Sequence, residues 1–182
     1  MRQIRRNVFE TNSASSHSIS IRILGTRLDA LTIASMGTSE YGYISPNGTY
    51  NLWDSDLTFG RSPFTVLSTF EGKLRYAIAS LAYDADKRDE IESIMYEVIP
   101  GLTTIRYPTS YNRDTQTRQN SYGYVDHQSC GCLQHFLDKN KVSIRDFLLD
   151  TKYVVWIDGD EYRVKNKLID GGFIHSDDFE SL

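Results

Sequence analysis

The chain is poor in cysteine and has no long apolar run, and each shortage removes a class of protein. Only Cys130 and Cys132 occur among 182 residues, with one residue between them. A disulfide across that spacing is strained, so the cysteines predict a reducing compartment instead of a disulfide-stapled secreted domain. No segment approaches the roughly 18 unbroken apolar residues of a membrane helix. The basic start, with Arg2, Arg5 and Arg6, runs into Glu10 and serines where a signal peptide would place its apolar stretch, which predicts a cytoplasmic protein with no membrane partner. Internal repeats and low-complexity segments are absent, and no Gly-x-Ser-x-Gly elbow supports acyl transfer.

What is there suffices for a core. A 40% hydrophobic and 12% aromatic content, at this length, fits a single domain spanning residues 1–182. The net charge of -4 is unevenly spread: residues 1–28 hold Arg2, Arg5, Arg6, Arg22 and Arg27 against Glu10, whereas residues 170–182 hold Asp170, Asp177, Asp178 and Glu180 with no lysine or arginine. One end suits phosphates and the other repels them. The acidic total excludes a general nucleic-acid coating protein, whose affinity would rest on many phosphate contacts, and leaves room for a local basic site.

Periodicity predicts an α+β protein: a small mixed or antiparallel sheet with a helical pair packed on one face and a C-terminal β-hairpin. His17 to Ile23 alternates polar and apolar residues as a half-buried strand does. Thr26 to Met36 reads as a short helix, and Tyr41 to Tyr50 as two short strands around Pro46-Asn47-Gly48. Ser62-Pro63 resembles a hydroxyl cap and first-turn proline, after which Phe64, Leu67, Leu74, Ile78 and Leu81 recur at helical spacing. Gly72 inside that helix costs about 1 kcal/mol relative to alanine. A second helix is predicted from Asp86 to Val98, stopped by Pro100-Gly101. Residues Thr109 to Tyr124 read as a long surface loop, Gln128 to Leu137 as a short helix, and Ser143-Ile144-Arg145-Asp146 as a capping box. Tyr153–Ile157 and Glu161–Lys165 flank Asp158-Gly159-Asp160, the predicted C-terminal hairpin.

Chemistry concentrates at Arg5 to Ser18, which crowds guanidiniums, a carboxylate, an imidazole and short polar side chains into one segment. Phosphodiester cleavage without a metal needs a general base, a general acid and cations for the developing charge. His17, Glu10 and Arg5 or Arg6 are those types, with Asn12, Ser13, Ser15 and Ser16 as hydrogen-bonding ligand contacts. The same residues also suit an arm of Asx and Ser turns that needs no ligand. Ser16 and His17 point to opposite strand faces, so a Ser-His pair would have to use Ser15.

A second cluster, Asp126-His127-Gln128-Ser129-Cys130-Gly131-Cys132-Leu133-Gln134-His135, contains zinc-binding residue types. Four ligands inside nine residues would need an unusually tight wrap, so no metal and no cofactor is expected. Asp126 and His127 read as a polar turn capping the next helix, or as ligand-binding residues sharing a site with His17. Tyr111 and Arg113, within a stretch that interleaves arginines with tyrosines, suit a surface that stacks unpaired bases and contacts phosphates; the plain alternative is an exposed loop without a ligand. Asp158, Asp160 and Glu161 read as solvated turn acids.

The string from Arg6 to Ser18 resembles the Phe-Glu-Thr-Asn-Ser-x-Ser-Ser-His-Ser opening of a group of proteins from phages and other mobile elements. Tyr124 to Ser129 and Trp156 to Tyr162 are similar to shorter pieces of the same pattern. Ala14 stands where serine is commoner in the group. The resemblance implies a counter-defence setting, and size and acidic charge are similar to those of anti-CRISPR proteins. The function it implies is action on a ribonucleoprotein, a host CRISPR effector or other host defence protein with its guide RNA, and metal-independent RNA cleavage is one route. The alternatives are a non-enzymatic acidic module that blocks a host protein, and a phage structural or assembly protein.

Overall fold

The structure, a computed structural model, describes residues 16–22, 43–59, 65–125, 133–150, 152–158 and 173–175. In chain order these form strands β1 (Ser16–Arg22), β2 (Tyr43–Ile44), β3 (Thr49–Asn51), β4 (Thr58–Phe59) and β5 (Thr65–Leu67), then helices α1 (Phe70–Leu81) and α2 (Ala85–Val98). Strands β6 (Thr104–Arg106), β7 (Thr109–Asn112), β8 (Thr117–Asn120) and β9 (Tyr124–Val125) follow, then helices α3 (Leu133–Asn140) and α4 (Ile144–Leu149), and strands β10 (Tyr153–Asp158) and β11 (Phe173–His175). A 3-10 turn occupies Asp54–Asp56.

The fold is α+β. Four antiparallel strands form the largest sheet, in the order β11-β1-β10-β5. A second sheet is mixed: β3 pairs antiparallel with β2 and parallel with β6. Two isolated pairs complete the strands, β4 parallel to β9 and β7 antiparallel to β8.

Helix α1 sits at the centre. Nine of its twelve residues are buried, including Lys73 and Arg75, as expected of a helix enclosed on every side. It packs against α2, α3, α4, β4 and β9. Leu74, Ala77 and Ile78 meet Ile91 and Met95 of α2, Leu133 and Phe136 of α3, and Phe147 and Leu148 of α4 in one core. The predicted pair α1 and α2 is therefore joined by two further helices.

The start of α1 differs from the sequence-based expectation. Ser62, Pro63 and Phe64 lie outside the described residues, Thr65–Leu67 is strand β5, and the helix begins at Phe70. Thr69 is its cap, the hydroxyl accepting from the Gly72 N–H at 3.1 Å. Gly72 thus lies in the first turn, and a side chain there would press on Thr69 and on Leu67 of β5. Leu67 looked like the first position of a helical stripe because it lies in the core on the strand side of the same corner.

Helix α2 begins at Ala85, capped by Asp84, whose carboxylate accepts from the Asp86 and Lys87 N–H groups at 2.9 and 3.2 Å. Ser143 caps α4, its hydroxyl accepting from the Asp146 N–H at 3.0 Å. Helix α3 is described from Leu133; residues 126–132, which include the predicted start at Gln128, lie outside the described residues, as do 26–36.

The first arm of the expected C-terminal hairpin is strand β10. Its Ile157 pairs with His17 of β1 on one edge and with Thr65 of β5 on the other. Both edges of β10 are therefore paired along Val155–Ile157, and Glu161–Lys165, the other arm of the expected hairpin, lies outside the described residues. The strand is also covered on both faces. Tyr153 and Val155 pack into the helical core, and Val154, which points the opposite way, is equally buried.

Two charged residues are carried inside. The Lys73 ammonium donates to the Asp150 carbonyl at 2.8 Å, at the C-terminal end of α4, and lies 5.8 Å from the Phe147 ring centre. Burial pulls its pKa down to about 8, partly offset by the Asp150 charge. The Arg75 guanidinium lies 3.7 Å from the Asp56 carboxylate, and beside it burial, with the Glu71 carboxylate, pushes the Tyr50 phenol up to about 12.

Candidate functional site: an aromatic and arginine-bearing strip

Strands β7 and β8 form a hairpin where the sequence predicted a loop. Asn112 explains the turn: its side-chain oxygen accepts from the Asp114 and Thr115 N–H groups at 2.9 and 3.2 Å, and Gln116 takes a left-handed φ of 55°. Every residue of β8 is exposed, as are Thr109, Ser110 and Tyr111 of β7. The hairpin thus gives nothing to the core, and a two-stranded hairpin without an apolar face is marginal on its own.

It is held at its foot. Tyr107 and Tyr122, just outside the two strands, meet edge to face at 5.0 Å, and Tyr122 meets Tyr83 in the same manner at 5.4 Å. The Tyr107 hydroxyl donates to the Glu92 carboxylate of α2 at 3.0 Å; burial first, and that carboxylate second, push its pKa well above the ordinary tyrosine value. Arg88, also on α2, donates to the Tyr122 hydroxyl at 3.3 Å and lies 5.6 Å from its ring centre. The Tyr83 hydroxyl donates to the Gly123 carbonyl at 2.9 Å. Three rings, a guanidinium and a carboxylate therefore clamp the hairpin to α2.

Gly123 completes the anchor. Its φ is +77°, and a Cβ there would lie 2.0 Å from the Leu57 carbonyl oxygen. Only glycine lets the backbones of β4 and β9 approach closely enough for the Tyr124 N–H to bond Leu57 at 3.0 Å.

On the hairpin, Tyr111 stands opposite Arg118 and Thr109 opposite Asn120. Residues two apart, and residues directly paired, share a face, so Thr109, Tyr111, Arg118 and Asn120 project from one side. Arg113 extends from the turn and is exposed. Tyr111 is 61% exposed.

The strip continues into a groove of about 510 Å³ between the hairpin foot and the β3–β6 edge. Asn51 pairs with Arg106 and Thr49 with Thr104 across that parallel ladder, which sets Asn51, Arg106 and Thr104 on one face and Tyr50 with Ile105 on the other. Leu52 is buried and Trp53 is extended, so Trp53 returns to the face of Asn51. Its backbone is tied on both sides, the N–H to the Asp56 carboxylate at 3.1 Å and the carbonyl to the Asp56 N–H at 2.9 Å, while the residue is 64% exposed. Trp53, Asn51, Thr104, Arg106, Thr109 and Asn120 all line the groove. Gly48, at φ +79°, lets the β2–β3 turn meet the loop before β6: its carbonyl accepts from the Thr103 N–H at 2.8 Å, and a side chain there would strike the Gly101 oxygen.

This chain matches no protein-family model, no curated protein and no solved structure. The site is therefore argued from its own residues.

Of the residues expected from the sequence to act together, Tyr111 and Arg113 stand on this hairpin, joined by Arg118. Ser16 and His17 open β1, where they pair with Asp158 and Ile157 of β10. Arg5, Arg6, Glu10, Asn12, Ser13 and Ser15 lie outside the described residues, and so do Asp126, His127, Cys130 and Cys132. Trp53, Asn51 and Asn120 escaped the sequence reading. A tryptophan before an acidic turn was the one available signal for the first, while Asn51 was placed by the pairing of β3 with β6 and Asn120 by that of β7 with β8.

No helix among the described residues is long and apolar enough to cross a membrane.

Proposed function

We propose that this protein takes hold of unpaired RNA belonging to a host ribonucleoprotein and acts in the host cytoplasm as a counter-defence protein of anti-CRISPR type. The observation that carries the RNA contact is the hairpin: a polar, exposed β-ribbon, braced at its foot by a tyrosine clamp, that presents Tyr111, Arg113 and Arg118 to solvent. A tyrosine ring stacks on any base, and guanidiniums meet phosphates or stack on bases in turn. Between residues 104 and 125 three arginines face one aspartate in a chain whose net charge is -4. A local positive strip on an acidic body favours contact at one place over coating along a strand. The counter-defence setting comes from the N-terminal resemblance.

The experiment measures RNA binding by anisotropy across a salt series, alongside effector activity. Alanine at Arg113 or Arg118 is expected to weaken binding and to lower the salt dependence by roughly 0.7 of a log unit per lost phosphate contact. Tight RNA binding that ignores both arginine substitutions overturns the hairpin's role, and an effector unaffected by saturating protein removes the counter-defence role. Cleavage through His17, Glu10 and Arg5 or Arg6 is the enzymatic extension of this reading. RNA that stays intact with protein and effector in EDTA eliminates that extension alone.

A second reading, blockade of a basic host protein without RNA, draws on α2, which exposes Asp86, Asp89 and Glu90. Inhibition that persists after the hairpin substitutions abolish RNA binding would favour it.

A further inference from the structure

We infer that the groove at the foot of the hairpin is a pocket for one unpaired nucleotide, with the base on the Trp53 indole and the phosphate on Arg106. The inference rests on the RNA reading above and names the unit that this part of the surface takes. Five observations meet there. Trp53 is 64% exposed although both its backbone groups are hydrogen-bonded, so a large aromatic side chain is held on a fixed backbone and left largely uncovered. Such a ring is a stacking platform for any base.

Arg106 shares the face with Asn51 through the parallel ladder, setting a cation beside groups able to donate and accept on a base edge or a ribose. Asn120 and Thr109 close the other wall, again with polar side chains. The volume, about 510 Å³, is in the range of small-ligand sites. The wall formed by Thr109 and Asn120 is also the first step of the hairpin face that carries Tyr111 and Arg118, about 6.8 Å further along the ribbon. A strand leaving the pocket therefore meets a second ring and a second guanidinium without changing direction. A neutral sugar could also stack on an indole, yet it makes no use of Arg106 or of this continuation.

The test follows the Trp53 indole N–H and the Asn51 and Asn120 side-chain amides by NMR while adenosine or uridine monophosphate is added, with glucose as the neutral comparison. Separately, binding of a short single-stranded ribonucleotide is measured for the wild type and for Trp53→Ala, Trp53→Phe and Arg106→Ala. Nucleotides are expected to shift those resonances and glucose to leave them in place. Trp53→Ala is expected to weaken RNA binding roughly ten-fold, with most of the loss restored in Trp53→Phe.

Trp53 is largely exposed, so these variants keep the fold, and circular dichroism verifies it. The inference is overturned if nucleotides leave the three resonances unmoved, if glucose moves them as strongly, or if Trp53→Ala binds RNA as the wild type does. If RNA binding falls with the Arg113 and Arg118 substitutions and ignores Trp53, the pocket is wrong and the hairpin reading stands. Nucleotides that bind at Trp53 in a protein with no affinity for RNA leave the pocket standing and remove the hairpin reading.

Discussion

Replacing Lys73 by methionine is expected to stabilise this protein at neutral pH. Lys73 is 1% exposed, its ammonium with the Asp150 carbonyl at 2.8 Å and the Phe147 ring centre at 5.8 Å. Burial, offset in part by the Asp150 charge, takes its pKa from 10.5 to about 8. At 1.36 kcal/mol per pKa unit, the folded state disfavours the charged amine by about 3 kcal/mol at neutral pH. Methionine fills nearly the same space without charge but removes the shorter of the two hydrogen bonds to the Asp150 carbonyl, leaving the Tyr153 N–H at 3.3 Å, which costs about 1 kcal/mol. The net gain is then about 2 kcal/mol.

The pH dependence has a definite sign. The folded-state value lies below the unfolded one, so between about pH 8 and 10.5 the unfolded chain binds more protons and stability rises with pH. Integrated from neutral pH to about 9.5, the rise from Lys73 is about 2 kcal/mol. Above pH 10 the phenol of Tyr50, pushed up to about 12, works in the opposite sense: unfolded tyrosine ionises first, and stability falls.

The comparison therefore belongs below pH 10, using urea denaturation of wild type and Lys73→Met followed by far-UV circular dichroism. The variant's advantage should shrink as pH rises through 8 to 9.5. A variant that is less stable at neutral pH, or that shows the same pH slope as wild type, would refute the premise that this ammonium is held at a cost.

Other substitutions probe the frame of the site. Gly123→Ala must place a Cβ 2.0 Å from the Leu57 oxygen at a φ of +77°; the expected loss is about 2 kcal/mol or more, a fall in Tm of about 4 °C or greater, and an unchanged melting curve would contradict the close approach of β4 and β9. Glu92→Ala removes the acceptor of the Tyr107 hydroxyl, so amide exchange in β7 and β8 should quicken several-fold while exchange in α1 is unchanged; equal effects in both would make the clamp global. Arg145 and Glu97 join α4 to α2 by two short hydrogen bonds at 2.6 and 2.7 Å, yet both are exposed. Arg145→Ala should leave the urea midpoint unchanged, and a clear drop would show a pair stronger than its solvation allows.

Elements written into short stretches of sequence were legible. The alternation from His17 to Ile23 is β1 to within a residue at each end. The helix predicted from Asp86 to Val98 is α2, with Ile91, Ile94 and Met95 buried, and Pro46-Asn47-Gly48 turns β2 into β3. Ser143 caps α4 by the hydrogen bond that its spacing from Asp146 implies. In each case the deciding interaction lies within one turn or one strand, so neighbours in the chain carry the whole signal.

Errors fell where the deciding contact is distant. Thr65–Leu67 has too few residues for a period and becomes a strand because β10 offers it an edge. The hairpin of β7 and β8 looked like a loop because it has no apolar face; its stability comes from Tyr83, Arg88 and Glu92 on another element.

The amino-acid order alone established the α+β class, the bounds of α2, the cap of α4, and an acidic chain with arginines beside aromatic rings, since each follows from composition or from interactions a few residues long. Long-range packing settled what lies beside what. It chose β1 and β5 as partners of β10, enclosed Lys73, clamped the hairpin foot on α2, and set Asn51 and Arg106 on one face through the parallel pairing of β3 with β6. Strand partnership and burial depend on which surfaces are free to meet, and local sequence carries no record of that.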